Sequence, residues 1–374
     1  MSFTLIADDD ALGALRRHLE GRSRVALDCE AAGFHRYSDR LCLLQVTAGE
    51  RTFLVDPLAV DPAAALRPTL EDPDVTVVMH GADYDLRLLD RDLDIRLRGL
   101  FDTQIAAALL GEPGLGLAAL LDKYAGVKLS KKFQRADWAR RPLPDEMLDY
   151  AASDTRHLLP LADTLATSLR ERGRLAWAKE EILGLEEVRW EADGNDPVSR
   201  VKGARDMDTR EVAALREALA WRDEVARQRD RAPFRIAGDA ALVEVVLGRP
   251  ASVADLERVK GLNRGLVQSE GGELLRRIRA VEALEPSALV GFPRREGNGR
   301  GRPTPEVEER LERLKGARNR KAQELEIDRG TLLSNTVLQT IAWTTPRNPG
   351  DLAAIPGMRR WQIELLGDEL MKLV

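Results

Sequence analysis

Residues 24–34 read Arg-Val-Ala-Leu-Asp-Cys-Glu-Ala-Ala-Gly-Phe, a short apolar run that ends in two carboxylates one residue apart. Val25, Ala26 and Leu27 have the pattern of a buried strand. Side chains alternate faces along a strand, so Asp28 and Glu30 project to the same side with their Cα atoms about 6.5–7 Å apart. Two like charges aimed at one point call for a cation. Spacing alone leaves a solvated strand end open, because acidic pairs two apart recur at Asp8/Asp10, Asp72/Asp74, Asp83/Asp85, Asp90/Asp92 and Asp92/Asp94. The positions of the other acids decide between the two.

The chain has 374 residues, beyond the size at which one core usually stops growing, so two or three domains are expected. Its apolar runs fall far short of the roughly 20 residues that cross a bilayer, and its first residues lack a signal-peptide pattern. The expectation is a soluble, cytoplasmic protein without a membrane partner. Its two cysteines, Cys29 and Cys42, both fall in expected strands, which suits a reducing compartment and leaves any metal to oxygen ligands. All four histidines, His18, His35, His80 and His157, lie in the N-terminal half. The net charge is −5, but it is unevenly spread: residues 287–321 carry 10 basic and 5 acidic residues, whereas residues 1–165 carry 27 acidic and 20 basic. An acidic site and a basic segment coexist.

Helical apolar spacing at Leu12, Leu15 and Leu19 precedes three strand-like stretches at 24–29, 41–47 and 52–55, joined by short turns in the manner of an antiparallel meander. A fourth strand, Val75 to Met79, is almost wholly apolar and therefore central. His80-Gly81 breaks it before a helix carrying Leu86, Leu88 and Leu89, and the cycle recurs at Leu100-Phe101-Asp102 before the helix Thr103 to Leu110. Strands alternating with helices after a meander imply a mixed sheet covered by helices, an α/β domain. Asp83 and Asp85 fall in the first turn of the helix after the fourth strand, and Asp102 stands before the next; each position also suits capping. Residues 144–159 read as one helix with Pro144 at its start, and Tyr150 and Asp154, four apart, share a face.

Taken jointly, Asp28-Cys-Glu30 at the end of the first strand, an Asp opening the helix after the fourth, and Tyr150-x-x-x-Asp154 on a later helix resemble the DEDDy exonucleases of the ribonuclease H-like fold. Within them the chain is most similar to the ribonuclease D family, through His80-Gly-Ala-Asp-Tyr-Asp85-Leu86, Phe101-Asp-Thr and the stretch Leu129-Ser-Lys-Lys-Phe-Gln134-Arg-Ala-Asp137-Trp138. Phe133 departs from the small polar residue common before the glutamine. The resemblance implies that Asp28, Glu30, Asp85 and Asp154 hold two divalent ions, Mg²⁺ or Mn²⁺, and that Tyr150 positions the attacking water. The residues alone leave Asp83 a rival to Asp85; the family favours Asp85, five residues after His80 and directly before Leu86. His80 and His157 border the site and are read as structural. Lys131, Lys132, Phe133, Gln134, Arg135 and Trp138, with Arg140 and Arg141 beside them, combine charge for phosphates with rings for bases, and a solvated charged loop is the alternative.

Beyond Glu191-Ala-Asp-Gly-Asn-Asp-Pro197, which is turn chemistry and a domain boundary, the chain repeats itself at an offset of 96 residues. Leu215 matches Leu311, Arg222 matches Arg318, Asp255-Leu256 matches Asp351-Leu352 and Gly261 matches Gly357. Each copy is expected to be a small all-helical domain, and the pair resembles the HRDC domain shared by ribonuclease D and some helicases. In each, the segment ending at Gly261 or Gly357 reads as a short helix closed by a glycine C-cap. The expected organisation is an exonuclease domain with trailing helices over 1–200, a first HRDC domain over 207–286, a basic linker over 287–304 and a second HRDC domain over 305–374. The resemblance implies a monomeric 3′→5′ exoribonuclease acting on RNA with a 3′ end, tRNA precursors included. A DNA exonuclease and a non-catalytic RNA-binding scaffold are the rival functions. A chain ending near residue 205 is expected to hydrolyse short oligonucleotides while losing affinity for longer RNA.

Overall fold

The computed structural model describes residues 3–293 and 303–374. Apolar runs and turn residues divide the first 190 residues into β1 (Phe3–Ile6), α1 (Asp9–Leu19), β2 (Arg24–Ala31), β3 (Leu41–Ala48), β4 (Arg51–Val55), α2 (Ala63–Leu70), β5 (Thr76–Met79), α3 (Asp83–Leu93), β6 (Leu100–Asp102), α4 (Thr103–Leu110), α5 (Leu117–Ala125), α6 (Asp145–Arg156), α7 (Leu158–Glu171) and α8 (Leu175–Glu186). The strands form one six-stranded mixed sheet in the order β1-β4-β3-β2-β5-β6. Strands β2, β3 and β4 are the expected antiparallel meander. Strand β5 runs parallel to β2, and β6 parallel to β5. The edge strand β1, which pairs in parallel with β4, escapes the sequence reading because four residues with two side chains outward carry no clear period.

The alternation along β2 fixes both layers. Val25 and Leu27 enter the core made with Leu15 of α1, Leu66 of α2 and Leu89 of α3. Ala26 points the other way, against Val78, Leu158 and Ala162. Asp28 and Glu30 continue the Ala26 face, so they project toward α6 and α7.

The single helix expected over 144–159 is two. Helix α6 ends at Arg156, His157 leaves the helical region at φ −106° and ψ 2°, and α7 starts at Leu158. Pro160 supplies the reason: its ring would collide with the carbonyl of residue 156 in a continuous helix, whereas in the first turn of a new one its missing N–H costs nothing.

The C-terminal half holds α9 (Thr209–Gln228), α10 (Pro233–Ile236), α11 (Asp239–Gly248), α12 (Val253–Leu256) and α13 (Arg264–Glu282), then α14 (Pro305–Leu325), α15 (Arg329–Leu332), α16 (Asn335–Thr344), α17 (Pro349–Ala353) and α18 (Arg360–Lys372). The two sets of five correspond one to one, down to a shared brace. Arg222 donates to the Ala237 carbonyl at 3.1 Å and to Asp239 at 2.6 Å. Its repeat mate Arg318 donates to the Leu333 carbonyl at 3.0 Å and to the Asn335 side-chain oxygen at 2.8 Å. The expected glycine C-caps are displaced: α12 and α17 close at Glu257 and Ala354, and Gly261 and Gly357 stand later in the turn at φ +92° and +82°. A left-handed backbone there favours glycine whether or not it ends a helix. Of the basic linker expected at 287–304, residues 294–302 lie outside the described residues.

The two helical units attach to the nuclease differently. The second shares one apolar core with it, in which Leu109 and Leu110 of α4 and Leu161 and Leu165 of α7 meet Leu314, Ile327, Leu338 and Trp361. Trp361 stacks on Trp177 at 4.6 Å and donates from its ring nitrogen to Glu181 at 2.9 Å, while Arg174, over the Trp177 ring, joins the Leu109 and Leu325 carbonyls. A chain cut near residue 205 would expose this face to water, a cost that the activity expected of such a chain has to meet. The first unit instead clasps the loop between β2 and β3 with polar bonds. The Tyr37 hydroxyl donates to Asp223 at 3.0 Å, Arg36 donates to Asp230 at 3.2 Å, and the Ala232 N–H donates to the His35 carbonyl at 3.1 Å.

Candidate active site

Three elements bring the acids together. Asp28 and Glu30 come from β2, held between β3 and β5. Asp85 comes from the first turn of α3, whose approach is locked by Asp102. That carboxylate, wholly buried, accepts from the Gly81 and Ala82 N–H groups at 3.2 and 2.8 Å and caps α4 through Gln104 and Ile105 at 2.7 and 3.1 Å. Asp102 thus caps α4 and ties down the two residues that lead into α3, which fixes the direction from which Asp85 arrives. Asp154 comes from α6, one turn beyond Tyr150. A cleft of about 610 Å³ opens here, lined by Asp28, Glu30, His80, Lys131, Gln134, Tyr150 and Asp154 among others.

The structure separates Asp83 from Asp85. Asp83 is exposed and pairs with Arg87 at 3.1 Å. Asp85 is buried at 8 % exposure, and its pKa is raised well above the usual carboxylate range, first by burial and then by the charge of Asp28. Burial, followed by Asp28, Asp154 and Asp85, does the same to Glu30. Burial pushes Asp28 up to about 7 and, with Asp28 as second cause, Asp154 up to about 8. Burial and then Asp154 raise the Tyr150 phenol, which is consequently a donor and not a base at neutral pH. Burial lowers His80, whose ring nitrogen Nδ1 meets the Thr103 hydroxyl at 2.9 Å, and so keeps it neutral.

These shifts carry a sign. Asp154 keeps its proton in the folded chain over a pH range where the unfolded chain has released it, so its contribution to metal-free stability is fully present below about pH 4 and is lost as pH rises through about 8. In chelator, Asp154→Asn is therefore expected to raise Tm by a margin that grows between pH 5 and pH 8. Calorimetry showing a constant or shrinking margin would contradict this.

The donor set suits hard divalent ions. It offers carboxylate oxygens only, from groups that raise one another's pKa and that a cation would relieve. Among the described residues no three acidic, cysteine or histidine side chains already form a closed cage for a metal. The fit accordingly rests on the chemistry of the donors and on their convergence.

The expected nucleic-acid residues divide. Lys131 and Gln134 line the cleft. Phe133 packs edge-on against Tyr150 at 5.8 Å, and Lys132 lies over Phe133 while pairing with Glu146 at 2.5 Å. Arg135 is exposed, with its guanidinium over the Phe34 ring. Trp138 is 2 % exposed in the core beneath α6, so it offers no ring face to a base; its apolar bulk outweighs the charged neighbourhood that suggested stacking. Arg141 is likewise structural, bound to Asp56 at 2.6 and 2.7 Å and to the Cys42 carbonyl at 2.7 Å.

Sequence reasoning passed over Gln45. It stands opposite Asp28 in the β2–β3 register and is wholly buried, with neither amide atom hydrogen-bonded among the described residues. A lone amide in the apolar run Leu41-Cys-Leu-Leu-Gln-Val was the available signal.

Comparison with known proteins agrees with this architecture. A family model described as 3′-5′ exonuclease matches residues 3–170, and the HRDC domain model matches 211–278 and 307–374. Ribonuclease D of Escherichia coli is 31 % identical over 291 residues, covering 77 % of each chain, and that of Granulibacter bethesdensis is 29 % identical over 377 residues, covering 99 % of this chain and 92 % of its own. The crystal structure of Escherichia coli RNase D, described as an exoribonuclease involved in structured RNA processing, superposes with a TM-score of 0.72 at 26 % identity over 100 % of this chain and 98 % of that one. Similarity that runs through the nuclease and both helical repeats makes this chain a member of the ribonuclease D family, a 3′→5′ exoribonuclease.

Proposed function

We propose that Asp28, Glu30, Asp85 and Asp154 hold two divalent cations, Mg²⁺ or Mn²⁺, and that the enzyme removes nucleotides singly from the 3′ end of structured RNA, tRNA precursors included, releasing nucleoside 5′-monophosphates. The observation that carries this is that β2 and α6 bring Asp28, Glu30 and Asp154 onto one cleft, with Asp85 of α3 buried close enough to raise Glu30 and be raised by Asp28, and that burial raises the pKa values of all four. Bound there, such ions supply the positive charge that activates water and stabilises the leaving oxygen.

The chain's own groups do the positioning. Tyr150, steadied against Phe133 and Trp138, lines the cleft within reach of the charges of Asp154, Glu30 and Asp28, and there its hydroxyl orients the attacking water by a hydrogen bond. Lys131 and Gln134 face the same space and suit a phosphate and a base edge. Tyr150→Phe keeps the ring and removes only the hydroxyl, so kcat is expected to fall by ~10- to 1000-fold with RNA affinity nearly unchanged. Single-turnover kinetics beside filter binding checks this, and a fully active variant would hand the role to another group.

Matched 5′-labelled RNA and DNA oligonucleotides, incubated with each metal, test the reading as a whole. RNA is expected to shorten in single-nucleotide steps, and a 3′-terminal phosphate is expected to slow the reaction. Internal cleavage of a circular RNA would overturn it, and equal turnover of DNA would remove the RNA preference. No described helix is long and apolar enough to cross a membrane, and we place the enzyme in the cytoplasm as a monomer, where its substrate is found.

A further inference from the structure

A second cleft, about 630 Å³, lies next to the first and shares Cys29, Glu30 and Gln134 with it. It is built across the junction between the nuclease and the first helical repeat. Phe34 comes from the loop after β2, Tyr84 from α3 and Phe234 from α10, some 200 residues away in sequence. These three are 36 %, 48 % and 53 % exposed, and they are among the few large hydrophobic side chains that the molecule leaves in water. Exposed aromatic rings gathered in one concavity form an apolar surface held open against the tendency to bury it.

The rings are held in place. The Tyr84 hydroxyl donates to Asp39 at 2.5 Å, while Asp39 also accepts from the Gly33 N–H at 3.0 Å. Phe34 and Phe234 lie 5.5 Å apart, tilted at 54°. Arg135 and Arg235 set their guanidiniums over Phe34 at 5.6 and 4.9 Å, and among the described residues neither is in an ion pair with a carboxylate. Arg235 also donates to the Phe34 carbonyl at 2.8 Å, and rings with cations at the rim that no carboxylate neutralises match the two halves of a nucleotide, a base that stacks and a phosphate that needs charge.

We propose that this junction cleft is a binding subsite for the single-stranded RNA immediately upstream of the 3′-terminal nucleotide, with Phe34, Tyr84 and Phe234 as stacking surfaces and Arg135 and Arg235 as phosphate contacts. The proposal rests on the active-site reading above, since the shared wall at Glu30 and Gln134 makes the second cleft the continuation of the first. It assigns the first helical repeat a direct contact with substrate close to the scissile bond. It also explains the clasp on residues 34–37, which holds Phe34 and Phe234 in register.

The test uses full-length protein and a ladder of 5′-labelled oligoadenylates of increasing length, with KM and kcat measured in Mg²⁺ and Kd measured separately by fluorescence anisotropy in chelator. For wild type, KM and Kd are expected to drop in a step at the length that reaches the junction. Phe34→Ala and Phe234→Ala should each erase the step, raising KM and Kd for longer oligomers by roughly 5- to 100-fold while the shortest cleaved oligomer is unaffected. Phe234→Trp should restore it. Wild-type length dependence in both alanine variants, or an equal loss on the shortest oligomer, would overturn the subsite. Failure of wild type to turn over any oligomer would overturn the active-site reading instead, and the Kd ladder would still decide the subsite.

Discussion

Replacing any one of Asp28, Glu30, Asp85 and Asp154 by alanine is expected to lower kcat by ~10³-fold or more, because each would remove a ligand from a site that depends on two bound charges. The same substitutions are expected to leave Tm unchanged or raise it in chelator. Folding buries these carboxylates at a cost, to which the charge of Asp28 adds at Asp154, and it appears as the upward shifts of Asp28 to about 7 and Asp154 to about 8. Adding Mg²⁺ should stabilise wild type and not the variants, since an ion that binds only the folded chain shifts the equilibrium by mass action. Asp83→Ala is the internal control. It removes an exposed partner of Arg87 and should keep nearly full activity. Undiminished turnover in Asp85→Ala together with a dead Asp83→Ala would show that the wrong carboxylate has been assigned.

Trp361→Ala is expected to destabilise the whole protein by about 3–5 kcal/mol, a factor of roughly 10² to a few 10³ in the unfolding equilibrium. The residue is 3 % exposed, stacks on Trp177 of the nuclease portion and has its ring nitrogen bonded to Glu181. Truncation leaves a cavity between two domains, exposes Trp177 and strips Glu181 of a donor, so the three losses fall together. Urea unfolding followed by tryptophan fluorescence and by activity should show both signals moving to lower denaturant in step. If activity persists through a transition in which the C-terminal helices melt alone, the shared core is not cooperative, and the activity expected of a chain ending near residue 205 stands. Tyr37→Phe, at the polar clasp of the first repeat, should cost far less, since its bonds to Asp223 are partly solvent-exposed.

The nuclease fold was legible wherever a period or a stop signal is local. The run Val25-Ala-Leu, the helix Thr103 to Leu110 and the turn at His80-Gly81 are set by neighbours within a few residues, and the structure has them there. The repeat at an offset of 96 was legible for the same reason, since Arg222 and Arg318 fill equivalent places in equivalent local frames. The acidic positions were legible only through a resemblance in their order. By spacing alone Asp83 and Asp85 are equivalent first-turn residues, and which one turns inward depends on the angle at which α3 leaves the sheet, set by Asp102 from another strand. The burial of Trp138 under α6, the seating of the second repeat on α4 and α7, and the meeting of Phe34 with Phe234 were decided by tertiary structure. Each is a contact between segments distant in sequence. An apolar or aromatic side chain carries the same free energy of burial whichever partner covers it, so only the packed arrangement determines which rings enter a core and which remain to meet a ligand.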